Sequence, residues 1–366
     1  MTTARARDLG ITIGRLPAGP LNALTDVSGV RVGQTTIVSG DDGDPHAVRT
    51  GVTAIFPHEG EPWIDRVYAA THILNGYGEL IGINQIAEWG LLMSPVVLTS
   101  SLQIGQAYDA TVRWVAGRDI PAGSEVMPVV TECDDSWLSD VLSFPLSVQD
   151  VMAALDGARS GPVDEGCVGA GTGMACFDFK GGIGTASRVL PPEAGAYTVG
   201  VLVLTNYGWR RDLRIDGVAV GVEIDDLMPE SHTEGSCVVI VATDAPMLPH
   251  QLRRMAQRAG LGLARTGSFA GNTSGEQMLA FSTANRIPWR VEPITLRVEA
   301  VADGRPGEPY LLSKLFEATI EATEEAVVNA LVAATTTVGR RGNTLHALPV
   351  DRTLDILARQ GRLSSR

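Results

Sequence analysis

Leu263-Ala-Arg-Thr-Gly-Ser-Phe-Ala-Gly-Asn-Thr-Ser-Gly275 lies about 100 residues before the C-terminus. Small and hydroxyl residues dominate it, and it joins a helix-patterned segment to an apolar strand. A serine that follows glycine at such a junction can turn its hydroxyl on the preceding carbonyl. If the Gly267–Ser268 bond breaks, Ser268 becomes an N-terminus. Its α-amine, with an ordinary pKa of about 7.7–8.0, is then placed to act as general base for the hydroxyl on the same residue. No Ser-His-Asp or Cys-His set is evident elsewhere, so this junction organises the reading of the rest.

Outward from it, the pattern is globular. Before the junction, Pro246 and Pro249 introduce a helix over 250–261, with Leu252, Met255, Ala256 and Ala259 on one face. After it come strands at 278–283 and 294–301, then a long amphipathic helix from about 311 to 335 and a short one at 351–363. Upstream, apolar runs at 197–205 and 237–243 read as long strands. Those at 51–57, 94–100 and 127–131 read as short buried ones. Residues 26–38 alternate and suggest a strand pair across Gly29 or Gly33. Residues 102–117 have helical spacing, and Trp137–Leu142 reads as a helix capped by Asp135 or Ser136. Strands cluster and helices come in blocks, which favours layered α+β packing over regular βαβ winding.

The chain has 366 residues, long for one small domain and short for three. Hydrophobic residues make up 44% and charged residues 19%, a composition that folds. Net charge is 29 − 42 = −13, which disfavours nucleic acid and anionic membrane as partners. Cys133, Cys167, Cys176 and Cys237 show no CxxC spacing and read as free cytoplasmic thiols. The first residues lack the apolar core of a secretory signal. No uncharged apolar run reaches the ~18 residues of a membrane span. The six histidines are scattered, so no metal site is assigned and no organic cofactor is called for.

Three further places offer chemistry. Asn206 ends a strand, either opening a turn or aiming its amide at an oxyanion. Glu132 and Asp134 follow a strand end, either as a solvated loop or as carboxylates that hold a substrate ammonium. Trp137 stands beside them as a candidate substrate-binding aromatic. Gly169–Gly173 is glycine-dense, but its spacing fits neither phosphate-loop pattern; close packing around the nucleophile is the better account.

Several stretches, in order along nearly the whole chain, resemble one family. They are Pro20–Gly33, Gly169-Ala-Gly-Thr-Gly-Met174, Lys180–Ser187, Ala242–Pro249, Arg265-Thr-Gly-Ser268, Ala280-Phe-Ser-Thr-Ala-Asn285 and Glu321-Ala-Thr-Glu-Glu-Ala326. The family is that of the L-aminopeptidase/D-esterases and β-aminopeptidases, the DmpA/BapA type. The resemblance implies an α+β, four-layer αββα sandwich of the kind shared with ornithine acetyltransferases. It implies one domain, 1–366, that cleaves itself into 1–267 and 268–366. Ser268 would then release N-terminal residues from short peptides, amides or esters bearing a free amino group. A homo-oligomer of αβ units, tetramer or larger, goes with it. The resemblance supports Asn206 as oxyanion donor and the 132–134 loop as the amine pocket. Some members carry Tyr where this chain has Asp134, which leans toward the β-aminopeptidase branch. It also implies a hydroxyl and a glutamate supporting the nucleophile, mapped onto Thr323 and Glu325. These stand about 200° apart around a helix, so they cannot easily share one contact. Glu321 and Glu325, at i,i+4, would repel.

Two rival readings remain. One is a self-cleaving acyltransferase, although the ornithine acetyltransferases use Thr as nucleophile. The other is an uncleaved binding protein that uses the 169–173 glycines. A denaturing gel and an amine-acceptor assay separate the three.

Overall fold

The structure is a computed structural model and describes residues 4–121, 125–230, 235–290, 295–302 and 311–363. In chain order its elements begin with β1 (Arg31–Ser39), β2 (Val48–Phe56), β3 (Asp65–Gly76), β4 (Leu80–Ile81), α1 (Ile83–Trp89), β5 (Leu91–Leu92) and β6 (Val96–Ser100). Then come α2 (Ile104–Ala116), β7 (Val129–Cys133), α3 (Val148–Asp156), β8 (Ala175–Cys176), β9 (Phe179–Lys180), β10 (Ile183–Val189) and β11 (Thr198–Tyr207). The chain continues with α4 (Val220–Glu223), β12 (Gly235–Thr243), α5 (Pro249–Arg265), β13 (Gly275–Pro288), α6 (Leu311–Ala333), β14 (Thr337–Val338), β15 (Thr344–Leu345) and α7 (Val350–Arg359).

Two sheets carry the mixed α/β fold. The first has the order β1-β2-β6-β7-β4. The second runs β5-β3-β13-β12-β11-β8-β9, with β10 also paired to β11. The strands alternate side chains between faces, and the core follows that period. Leu202 and Leu204 of β11 pack with Ile55, Val96 and Leu98 of the first sheet. Val201 and Val203, one residue out of phase, join Leu252 and Met255 of α5 and Leu315 and Val327 of α6. On the other side of the first sheet, Val52, Ala54 and Val97 meet Ala107 and Trp114 of α2 and Val151 of α3. Every residue of β2 is buried because both its faces are covered.

Several readings of the sequence change here. Residues 26–38 hold one strand, β1, whose partner is β2 rather than a segment across Gly29 or Gly33. Trp137–Leu142 is a tight turn leading into a 3-10 turn. Asp134, not Asp135 or Ser136, makes the local cap: its carboxylate accepts Ser136 N–H at 2.9 Å and Ser136 Oγ at 2.8 Å. Residues 295–302 carry no strand, and position 294 lies outside the described residues. The strand expected from 278 already begins at Gly275. Two parallel neighbours, β6–β7 and β12–β13, are joined through α2 and α5. Parallel pairing requires such a crossover, so βαβ units are built into the layers.

Candidate active site

Asn206, Ser236, Gly275 and Gly76 stand in register across β11, β12, β13 and β3, so the four strands share one end. The loop between α5 and β13, which contains Ser268, folds over that end, and Asn75 of β3 donates to the Gly271 carbonyl. The Gly267–Ser268 bond is continuous, and Ser268 N–H donates to Leu263 O at 3.2 Å, capping α5. The Ser268 hydroxyl accepts Ala270 N–H at 3.3 Å. Gly267 has φ +111. A Cβ built on it would stand 1.9 Å from the Asp212 carbonyl oxygen. Only glycine fits there, for both reasons.

Two residues before the bond, Thr266 is fully buried and donates its hydroxyl to Leu263 O at 2.7 Å. That hydroxyl has one proton, so the Tyr207 phenol 2.9 Å away donates to Thr266. Burial holds the Tyr207 phenol well above its usual range. The strand carrying Asn206 is thus tied to the scissile segment.

Asn206 is itself nearly buried. Its Nδ2 donates to Asp134 O at 2.8 Å and its Oδ1 accepts Ala175 N–H at 3.0 Å. The Asn206 side chain therefore does more than open a turn: it bridges the two sheets' ends. Glu132 lies in the last turnless stretch of β7, not past it, and is buried. Its Oε1 accepts Glu79 N–H at 2.9 Å, and Oε2 accepts the Ser101 hydroxyl. Burial pushes the Glu132 carboxyl up, against the pull of these two donors. Asp134 is exposed.

These side chains meet in adjoining cavities. Glu132, Asp134 and Asn206 line one, with Ser101 and Tyr77. Asp134, Asn206 and Trp137 line a second. Its Tyr207–Gly208 wall is shared with a third, smaller cavity containing Gly267, Ser268, Ser274 and Glu276. The structure thus brings Glu132, Asp134, Trp137 and Asn206 together and sets Ser268 behind Tyr207.

Thr323 and Glu325 are held elsewhere. The Thr323 hydroxyl donates to Thr319 O at 2.7 Å within its own helix. The same residue packs on Gly262, where a Cβ would come 2.5 Å from Thr323 Cβ; this is where α5 and α6 cross. Glu325 accepts Arg7 Nε and Nη2, both at 2.8 Å, Asn22 Nδ2 at 2.5 Å and Arg188 Nη2 at 2.7 Å. The pair stands on different sides of α6, as the 200° separation requires. Glu321 and Glu325 are not left to repel, because fully buried Arg188 bridges them. Neither Thr323 nor Glu325 has a hydrogen bond to Ser268 among the contacts described.

The glycine run also has a different setting from the expected one. A Cβ on Gly171 would lie 2.4 Å from Ile183 N, and one on Gly173 2.2 Å from Arg49 O. The run packs tightly against β2 and β10, away from the nucleophile loop, which leaves it no room to cradle a phosphate.

Sequence reasoning missed Ser101, the Tyr207–Thr266 pair and the Ser274–Glu276 pair. For Glu276 a signal existed, a lone acid opening an otherwise apolar strand. Ser101 and Tyr207 join their partners only through tertiary folding.

A sequence profile of peptidase family S58 matches residues 22–345. The β-peptidyl aminopeptidase of Sphingosinicella xenopeptidilytica is 43% identical, with 96% of this chain and 90% of that protein covered. A β-aminopeptidase from Burkholderia sp. superposes with a TM-score of 0.91 at 42% identity, covering 99% of this chain and all of that one. The L-aminopeptidase D-Ala-esterase/amidase of Ochrobactrum anthropi superposes with a TM-score of 0.90 at 42% identity, covering 98% of this chain and 99% of that one. It is described as a prototype of the serine aminopeptidases and a variant of the N-terminal-nucleophile hydrolase fold. Neither the acyltransferase nor the binding-protein reading finds support among these relatives. On this evidence the chain belongs to peptidase family S58, and its enzyme class is that of the family's serine aminopeptidases.

Proposed function

We propose that the chain matures by attack of Ser268 Oγ on the Gly267 carbonyl. The C–N bond breaks, the acyl group passes to oxygen, and water hydrolyses the ester. Residues 1–267 then end in a carboxylate and residues 268–366 begin with a free amine. In turnover Ser268 Oγ attacks the substrate carbonyl and its α-amine carries the proton to the leaving amine. Asn206, turning its Nδ2 from Asp134 O, stabilises the oxyanion with a backbone N–H. Water clears the acyl-enzyme. Glu132, assisted by Asp134, holds the substrate ammonium, and Trp137 lines the neighbouring side of the site.

The observation that carries this reading is the wall shared by Ser268's cavity and the one containing Asn206. The substrates are short peptides, amides or esters with a free amino group. β-Aminoacyl amides suit a deep Glu132 and fit the relatives named above. Layering as αββα, supported by the three apolar clusters, and assembly into a tetramer or larger complete the proposal. No helix among the described residues is long and apolar enough to cross a membrane. A cytoplasmic home rests on the free thiols alone.

The test is intact mass followed by a substrate panel. Wild type should give fragments of roughly 28 and 10 kDa from a 38.7 kDa chain, and Ser268→Ala should stay whole and inactive. N-acetylated peptides, lacking the charge Glu132 would pair with, should be poor substrates. Comparable kcat/KM for acetylated and free peptides would defeat the exopeptidase assignment.

A further inference from the structure

Glu276 opens β13 and is wholly buried, with no exposed surface. It faces the small cavity that contains Gly267 and Ser268. Its Oε1 accepts the Ser274 hydroxyl, and Ser274 N–H in turn donates to Gly271 O at 3.0 Å. The carboxylate is therefore aimed from the strand into the nucleophile loop and fixed by that loop's own serine. No Lys, Arg or His lines this cavity. The titratable groups that feel Glu276 are Tyr207 of β11, Cys237 of β12 and Cys133 of β7. All three are fully buried and pushed well upward, chiefly by burial, so they stay neutral. Asp212, whose carbonyl abuts Gly267, adds a further acid, paired at 3.8 Å with the exposed Arg211. The surroundings of Ser268 are acidic or neutral on every side.

A buried carboxylate is costly without a cation. Self-cleavage makes one: the α-ammonium of Ser268 appears inside this cavity. We infer that Glu276 is the positioning residue for the mature nucleophile, forming an ion pair with the Ser268 α-ammonium and fixing the new N-terminus against the end of β13. The inference rests on cleavage at Gly267–Ser268. The pair gives the Ser268 amine a raised pKa, because an adjacent anion favours the protonated form. The working base is the neutral amine, so the acid limb of the rate profile reports the pair.

The experiment compares the mature wild type with Glu276→Gln, Glu276→Asp and Ser274→Ala. Each is followed by intact mass, by circular dichroism and by the pH profile of kcat/KM on one β-aminoacyl chromogenic amide. Glu276→Gln should move the acid limb down by about one pH unit and lower kcat at least tenfold with KM within threefold. Glu276→Asp should restore most of the limb's position, which a packing role would not do. A folded, cleaved Glu276→Gln enzyme with an unmoved acid limb overturns the inference and leaves the cleavage reading intact. Failure of the wild type to cleave sinks that reading instead. Should Glu276→Gln not fold, Glu276→Asp and Ser274→Ala carry the test: an acid limb unmoved in both overturns the inference.

Discussion

Gly267 sits with its α-carbon against the Asp212 carbonyl, so close that a β-carbon would come 1.9 Å from the oxygen, and it does so at φ +111. The residue before the scissile bond is thus clamped in a conformation that L side chains rarely adopt. Gly267→Ala should cost about 1–2 kcal/mol from the dihedral alone, plus displacement of the 210–212 turn. Self-cleavage should slow at least tenfold on a denaturing gel while the uncleaved chain keeps its far-ultraviolet spectrum. Cleavage at the wild-type rate would show that the clamp has no part in maturation.

Asn206→Ala removes partners from two groups at once, Asp134 O and Ala175 N–H. Each orphaned group costs about 1–3 kcal/mol if it cannot reach water. A lower melting temperature should accompany a loss of about 10²–10³ in kcat, the usual size for one oxyanion donor. A drop in melting temperature with less than a threefold change in kcat would reduce Asn206 to a structural bridge.

Glu325→Gln should destabilise the protein by about 3–5 kcal/mol in denaturant melts, because it leaves the buried Arg188 short of a charge partner. Burial alone would raise the Glu325 carboxyl, but Arg188, Arg7 and Asn22 outweigh it and hold the group below its ordinary value of 4.5. A carboxylate depressed on folding contributes fully above its unfolded value and loses that contribution as pH falls through the folded one. The wild type should therefore lose stability steeply below about pH 4, and the variant should lose less there.

His58 sets a different acid sensitivity. Its Nε2 lies 2.6 Å from the Asp65 carbonyl and its Nδ1 3.0 Å from Gly60 N–H. The first partner needs a donor and the second an acceptor, so the ring is neutral. Burial, seconded by Arg286, brings its pKa down to about 4. Protons bind the unfolded chain first, so stability is complete above pH 6.5 and falls as pH drops toward 4. The loss should reach about 3 kcal/mol at most, and a His58→Gln variant should show a flat profile over that window in urea melts at stepped pH.

The elements that were legible have simple periods. β2, β6, β11 and β12 are apolar runs that both sheet faces bury, and α2, α5 and α6 show their spacing plainly. Glu276 was misread because 278 looked like the first strand residue. A buried acid at a strand's start breaks the apolar pattern, and its place is set by Ser274 and the loop. The 26–38 segment alternates as a strand should, yet alternation is blind to the partner, and β2 lies ten residues further on. Thr323 and Glu325 looked like one functional pair in Glu321–Ala326. Their assignments came from the crossing with Gly262 and from Arg7, Asn22 and Arg188, which lie more than a hundred residues away along the chain for all but Gly262.

The sequence by itself determined the periods of the strands and helices, the glycine–serine junction, and the family to which its ordered motifs belong. These are local properties, written in residue type and spacing. Only the tertiary structure decided which side chains share a cavity. It placed Asp212 on Gly267, Tyr207 on Thr266 and Glu276 beneath Ser268, and it gave Glu325 to an arginine cluster. Such contacts join residues distant in the chain, and no local period records them, because burial and charge pairing are settled only when the layers close on one another.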